Sequence, residues 1–347
     1  MKIEKKVCAT THGDVTLYTL TNSSGSRVVL SSLGAGIVSV EVPDSEGNLA
    51  NVALGYADPA DYMADGPCAG KIPGRYANRI AGGKLRVEGR DYQLAVNNGP
   101  NALHGGPTGF HNRIWDSRTE GDSVVFYRTS PDGEENYPGT VNVTAVYSWS
   151  DDHILKLELI AGTDAPTVVN LTNHAYWNLE GENSGSVLGH KLYLTASRYL
   201  PTDESLIPTG EVASVKGTPM DFTVAKTLGE DIEKQFQALE YGKGYDNCWL
   251  VDDYVKGARK TVAVLEAPKS GRVLEVATTQ PAVQIYTGNW LAGSPKNPEG
   301  RSYDDYDGVA IECQGLPDAP NHPDFHTQQL YPGEDYFELI EFKFTTK

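Results

Sequence analysis

The chain is poor in cysteine, poor in basic residues and free of long apolar runs, and each shortage argues against a class of protein. Its four cysteines, Cys8, Cys68, Cys248 and Cys313, lie far apart in 347 residues, with no C-x-x-C spacing. That is too few to staple a chain of this size and the wrong pattern for a zinc module, so a reduced, cytoplasmic protein is expected. No apolar run approaches the roughly 20 residues that a helix needs to cross a bilayer. The N-terminal MKIEKKVCATTHG carries charge but no apolar export core. Lysine and arginine number 29 against 46 aspartates and glutamates, a net charge of −17. Such a surface argues against nonspecific attachment to nucleic acid or an anionic membrane, and it suits a neutral ligand better than an anionic one.

What the chain has in abundance is short β-type runs, among them SRVVLSS, SVVFYRT, TVNVTAVYSWS, HILKLELIAGT, AVQIYTG and YFELIEFKFTT. In HILKLELI, Ile154, Leu155, Leu157 and Leu159 alternate with Lys156 and Glu158 for most of the run, the mark of a strand with one wet face. Thirty-six glycines and 20 prolines punctuate these runs with turns. Only EDIEKQFQALE, Glu230 to Glu240, has helical character. The expected fold is all-β, a large antiparallel sandwich with very little helix. There is no composition break, linker or short-period repeat, so one domain over residues 1–347 is expected.

Five segments carry candidate chemistry. PTVVNLTNHAYWNLEG passes from β-branched residues into Asn, Thr, His, Tyr and Trp, placing His174 among aromatics and amides. That composition suits a ligand rich in hydroxyls, and it equally suits a turn after a core strand. His104 lies in NGPNALHGGPTGF, where glycines make a loop that another backbone or a ligand can approach closely. GRYANRIAGG presents Arg75, Asn78 and Arg79 between glycines, as hydroxyl partners or as members of surface ion pairs. Asp246 in YGKGYDNCWL precedes an apolar strand, a common turn position. Glu312 interrupts the apolar run Val309, Ala310, Ile311, Cys313. A carboxylate there is costly to bury without donors or a task, the alternative being the wet face of an edge strand.

Taken in order, GRYANRI, NALHGG, SPDGEENYPG, VNLTNHAYWNL, YLPTDESLIPTGEV, GYDNCWL, QPAVQIYTGNW and IECQGLPDAPN resemble blocks of the galactose mutarotases, or aldose 1-epimerases. The resemblance covers nearly the whole chain. It implies a β-sandwich with an open cleft across one sheet, and acceleration of the interconversion of α and β anomers of free aldohexoses. Position by position, it implies Glu312 as general base, His174 as general acid and His104 as a second histidine near the ring oxygen. It also implies Asn78, Arg79, Asp246 and Gln284 as holders of sugar hydroxyls. Arg75 belongs to the same block without an implied contact. Two departures stand out: Lys71 and Pro73 in PCAGKIPGR, expected to reshape one wall of the cleft, and Trp290, where a smaller aromatic is expected in many relatives.

Opening a cyclic hemiacetal requires one proton to leave the C1 hydroxyl and another to reach the ring oxygen, so a carboxylate and a histidine suffice, with no cofactor or metal. The neighbouring carboxylate is expected to favour the charged imidazole. The partner is expected to be a small aldohexose, with the protein a monomer or weak dimer. Two rivals share the scaffold: a hexose-phosphate mutarotase, which needs extra cations, and a non-catalytic sugar-binding protein, against which Glu312 and His174 together argue. A third takes His104, His174 and Glu312 as a two-histidine, one-carboxylate metal site.

Overall fold

The computed structural model describes residues 1–326 and 328–347. Alternation is what turns this sequence into sheet. In the strand Ile154–Thr163, Leu155, Leu157 and Leu159 are fully buried while Lys156 and Glu158 reach solvent. The strand sits inside a nine-stranded antiparallel sheet, between Val141–Trp149 and the last strand, Tyr336–Thr346. That last strand pairs on its other side with Arg272–Thr278, so the end of the chain closes the middle of the sheet.

Two further sheets cover the apolar face of the nine-stranded one. A five-stranded meander runs from Lys2–Thr10 to Leu49–Asn51, and its Tyr18 packs edge-on against Phe126 at 5.9 Å between ring centres. A six-stranded sheet has the order Tyr176–Trp177, Val309–Gln314, Ala282–Tyr286, Asp246–Leu250, Arg198–Tyr199, Ala213–Ser214. Its Trp177 lies 5.0 Å from Phe342 and 5.5 Å from Phe344 of the large sheet. One apolar cluster runs through all three sheets, so the expected all-β sandwich is the observed fold.

The expected helix is where the sequence misleads. Among the described residues one α-helix is present, Gln237–Gly242, and it overlaps only the end of Glu230–Glu240. Asp231 instead binds Lys226 and Lys234, Phe236 is extended at φ −148°, and no side chain caps the helix start. With a costly nucleus and no cap, the earlier residues take turns. No helix among the described residues is long and apolar enough to cross a membrane.

Candidate active site

The six-stranded sheet places the site. Glu312 lies opposite Gln284, Gln284 opposite Cys248, and Asp246 opposite Tyr286. Because side chains alternate, Trp177, Trp249, Val283, Ile285, Val309 and Ile311 point into the core, and Tyr176, Asp246, Gln284, Tyr286 and Glu312 share the other face. Glu312 is therefore no edge residue. Its strand has a neighbour on each side, and Glu312 itself is 2% exposed.

His174 reaches the same face from an irregular segment just before Tyr176–Trp177. Its backbone N–H donates to the Lys71 carbonyl at 2.9 Å, and its own carbonyl accepts from Gly70 at 2.9 Å. The Asn173 side chain donates to the Gly70 carbonyl at 2.7 Å and accepts from the Ala175 N–H at 3.0 Å. These bonds take the place of a strand ladder and set the imidazole's Nε2 3.5 Å from the Glu312 Oε1.

His104 comes from a two-stranded ribbon, Arg79–Ile80 against Ala102–Leu103, which also brings in Asn78 and Arg79. The Asn78 N–H donates to His104 Nδ1 at 3.1 Å, and the His104 N–H returns a bond to the Asn78 carbonyl at 3.1 Å. The glycine after His104 is required, because a Cβ on Gly105 would collide with the Gly74 carbonyl. The His104 and His174 rings meet edge-on, 5.3 Å apart. Among the described residues, no group of three or more His, Cys, Asp or Glu side chains is arranged to hold a metal ion.

Asp246 organises the remaining polar groups. Its Oδ1 accepts from Gln284 Nε2 at 2.7 Å, and its Oδ2 faces the Arg79 guanidinium at 3.4 Å. Arg79 Nε also donates to Asn98 at 3.1 Å. The cleft is thus lined by Asn78, Arg79, His104, His174, Asp246 and Glu312, with Gln284 buried beside Asp246. All seven residues singled out from the sequence come together. Tyr176 and Tyr286 also line the cleft, each with its ring near His174, at 5.0 and 6.4 Å. Sequence reasoning missed both, though each lies two positions after a singled-out residue and so on the same face.

Other sequence expectations resolve differently. Arg75 is buried away from the cleft, donating to the Ser130 hydroxyl and to the Ser130, Pro131 and Pro138 carbonyls. Lys71 does not shape the cleft wall. It is fully buried outside the cleft lining, where the Asp65 carboxylate and the Tyr62 carbonyl satisfy its ammonium. Trp290 is exposed, with its backbone N–H donating to the Tyr286 hydroxyl at 3.1 Å and Lys243 lying 4.4 Å over its ring.

Burial dominates the electrostatics. It pushes the Glu312 carboxyl well above its ordinary range, with Asp246 adding to the push and Arg79 opposing it. It pulls His174 down to about 4, outweighing the histidine's own backbone acceptor, and Lys71 pulls the same way. His104 is drawn well below its ordinary range, by burial first and then by His174. The expectation that a nearby carboxylate favours the charged imidazole is overturned for the free cleft: desolvation wins, and both members of the pair prefer to be neutral. Glu312 Oε2 and Gln284 Oε1 are buried acceptors that find no donor within the protein. Such groups are costly to leave unmet and are suited to incoming hydroxyls.

The chain is similar to known proteins over nearly its whole length. Residues 16–343 match the family model described as Aldose 1-epimerase. A galactose mutarotase from Bos taurus is 42% identical over 92% of this chain and 91% of its own. An aldose 1-epimerase from Escherichia coli K12 is 38% identical over 94% of each chain. Among solved structures, galactose 1-epimerase from Lactobacillus acidophilus superposes with a TM-score of 0.87 at 28% identity, covering 100% of this chain and 99% of that one. The extent of these matches, over nearly the whole chain, shows that it belongs to the aldose 1-epimerase family.

Proposed function

We propose that this protein is an isomerase that interconverts the α and β anomers of free aldohexoses such as galactose and glucose, with Glu312 and His174 as its acid–base pair. The observation that carries this reading is Glu312 itself. It is a buried carboxyl with one oxygen 3.5 Å from His174 Nε2 and the other without a donor. The names of the relatives point to the same reaction.

The pair holds one proton. A bound pyranose offers a C1 hydroxyl that donates and a ring oxygen that only accepts, so its hydrogen-bonding pattern selects the carboxylate and the imidazolium. Glu312 takes the C1 hydroxyl proton as the bond from C1 to the ring oxygen breaks, and His174 delivers its proton to that oxygen. The products of this step are an open hydroxyaldehyde, a neutral carboxylic acid and a neutral imidazole. That neutral pair is the state burial favours in the free cleft, so the site's own electrostatics lean towards ring opening. Rotation about C1–C2 and the reverse transfers close the ring on the other face and reset the pair. Asn78, Arg79, Asp246 and Gln284 hold the remaining hydroxyls, and His104 stands beside the ring oxygen.

A sugar phosphate fits less well. Arg79 is the one cationic side chain among the lining residues, and it already faces Asp246. The same proposal takes the chain as one domain, monomeric or weakly dimeric, working in the cytoplasm, where its four free cysteines stay reduced. Polarimetry of freshly dissolved α-D-galactose and α-D-glucose tests the activity. Equilibration should speed up in proportion to protein, with chelator present. A rate equal to that of buffer alone, or one abolished by chelator and restored by a divalent ion, overturns the proposal.

A further inference from the structure

Four of the five tryptophans are buried to 3% exposure or less, and the fifth, Trp290, is 62% exposed. A single exposed apolar ring needs no explanation by itself. This one is fixed, and it is fixed at the rim of the cleft. Its backbone N–H donates at 3.1 Å to the hydroxyl of Tyr286, a lining residue whose ring is 6.4 Å from that of His174. Lys243 holds its ammonium 4.4 Å from the centre of the indole and pairs at 2.8 Å with Asp305, whose other oxygen accepts the Ala292 N–H at 2.9 Å. The neighbouring Asn289 amide donates to the carbonyls of Gly242 and Tyr245 at 2.7 and 3.1 Å, and the Tyr306 hydroxyl donates to that of Lys243 at 2.7 Å. Three segments are thus locked around one ring.

The place of the ring in the sheet decides its role. Tyr286 lies opposite Asp246, so the segment that runs on from Tyr286 to Trp290 and the one that runs from Lys243 into Asp246 leave the sheet at the same edge of the cleft. Lys243, over the indole, spans the two. With C1 and the ring oxygen at Glu312 and His174, the hydroxyls that reach Asp246 are those across the ring, on C3 opposite the ring oxygen and on C4 opposite C1. A substituent on either leaves the cleft towards Trp290 and does not touch the reacting bond.

We propose that Trp290 is the platform of a second sugar subsite, which takes the non-reducing ring of a disaccharide joined through O3 or O4 of the reducing aldohexose. This rests on the reading of Glu312 and His174 as the acid–base pair at C1. A pyranose turns an apolar C–H face to an aromatic plane and its hydroxyls to the edges, and here Lys243 and Asp305 stand beside the plane as donor and acceptor. Lys243 covers one face of the indole, and the high exposure of the residue leaves the other open. One cation against one anion also suits an uncharged ring better than a phosphate.

The test compares wild type with Trp290→Ala and Trp290→Phe on galactose, on disaccharides linked through O3 or O4, and on one linked through O6, whose second ring is attached beside the ring oxygen. Two readouts are needed: KM and kcat for anomer exchange, and the NMR resonance of the Trp290 indole N–H, which reads the subsite whether or not anomers exchange. The indole resonance should shift with an O3- or O4-linked disaccharide and stay in place with galactose. Trp290→Ala should raise KM for that disaccharide by roughly five- to tenfold, the loss expected from truncating an aromatic anchor, with kcat unchanged. Trp290→Phe should recover most of it, and galactose and the O6-linked disaccharide should behave as in wild type. An indole resonance unmoved by saturating disaccharide overturns the proposal, as does an unchanged disaccharide KM in Trp290→Ala. An equal loss for galactose or for the O6-linked disaccharide overturns it too, by making Trp290 a support for Tyr286 and not a subsite. The acid–base reading fails separately, through an active Glu312→Gln protein or an inactive wild type, and the indole titration decides the subsite in either case.

Discussion

The six-stranded sheet has two faces made by the same strands, equally shut away from water and opposite in chemistry. Ile285 is 0% exposed and its neighbour Gln284 3%; Ile311 is 1% exposed and Glu312 2%. On the core side, burial removes apolar surface from water and the neighbours are mostly apolar groups, with the Trp249 indole N–H donating to the Met220 carbonyl. On the cleft side, the same burial isolates a carboxyl, a carboxylate–guanidinium pair and two acceptors with no donor. Burial alone therefore says nothing about role. What marks the cleft face is that its unmet acceptors sit beside a carboxyl and open on a cleft, whereas the core face also leaves isolated groups unmet, the Trp177 indole N–H and the Asn247 amide among them.

The strongest way to break this comparison is to neutralise the cleft face at its centre. Glu312→Gln keeps the shape and removes the base, so kcat for anomer exchange should fall by roughly 10²–10⁴-fold, or about 3–5 kcal/mol of barrier. His174→Asn should fall comparably, and the double variant by far less than the product of the two, since the pair acts as a unit. The thermal midpoint of Glu312→Gln should hold or rise, because a buried carboxyl with an unmet oxygen is gone. NMR exchange measured beside thermal melts decides this. Near-normal exchange in a folded Glu312→Gln protein would sink the mechanism.

The pH profile sharpens the contrast next. With His174 held near 4, kcat/KM should stay level well below the ordinary histidine value and fall only as pH approaches about 4. An acid limb near 6.5, the unperturbed histidine value, would contradict the burial argument. Stability has a matching sign. His174 and His111, at about 4 and about 3, bind protons more weakly folded than unfolded, so their contribution is complete above the unfolded value and is lost as pH falls through the folded ones. The buried carboxyl of Glu312, raised in the fold, contributes with the opposite sign, so the histidine contribution is read as a difference: as pH falls over that window the wild-type midpoint should drop relative to that of His174→Asn.

Asp246→Asn is expected to act on binding more than on chemistry. It leaves an acceptor for Gln284 but removes the charge that faces Arg79, so a charge-assisted hydroxyl contact is lost and the holding network slackens. Contacts of that kind are worth about 1.5–3 kcal/mol, which puts the rise in galactose KM at about tenfold or more, with a smaller loss in kcat. Saturation kinetics that return an unchanged KM would remove Asp246 from the substrate holders.

Legibility in the sequence divided along the same two faces. The core side was readable because period-two alternation is local, as in Leu155, Leu157 and Leu159. The cleft residues were noticeable one by one, Glu312 for interrupting an apolar run and His174 for its polar company, but their convergence came from the family resemblance. No local pattern places Asn78 beside His104 or Glu312 within reach of His174. Lys71 was read as part of the cleft wall because a sequence gives a residue's neighbours and not the direction of its side chain. The supposed helix at Glu230–Glu240 failed because composition does not reveal that Asp231 is claimed by two lysines.

The smallest predicted effect is also the cleanest control, because it alters the core face one residue away from the site. Ile285 sits between Gln284 and Tyr286 on the strand Ala282–Tyr286, fully buried against the core. Ile285→Val removes one methylene group and keeps the β-branch that suits the strand, so it should cost about 0.5–1.5 kcal/mol of stability while the side chains of Gln284 and Tyr286 stay where they are. Denaturant unfolding should show the lower midpoint with an unchanged slope, and kcat and KM per folded molecule should match wild type. A lost or strongly reduced kcat at that modest destabilisation would mean that the two faces are mechanically coupled, and that the cleft depends on core packing as well as on its own polar contacts.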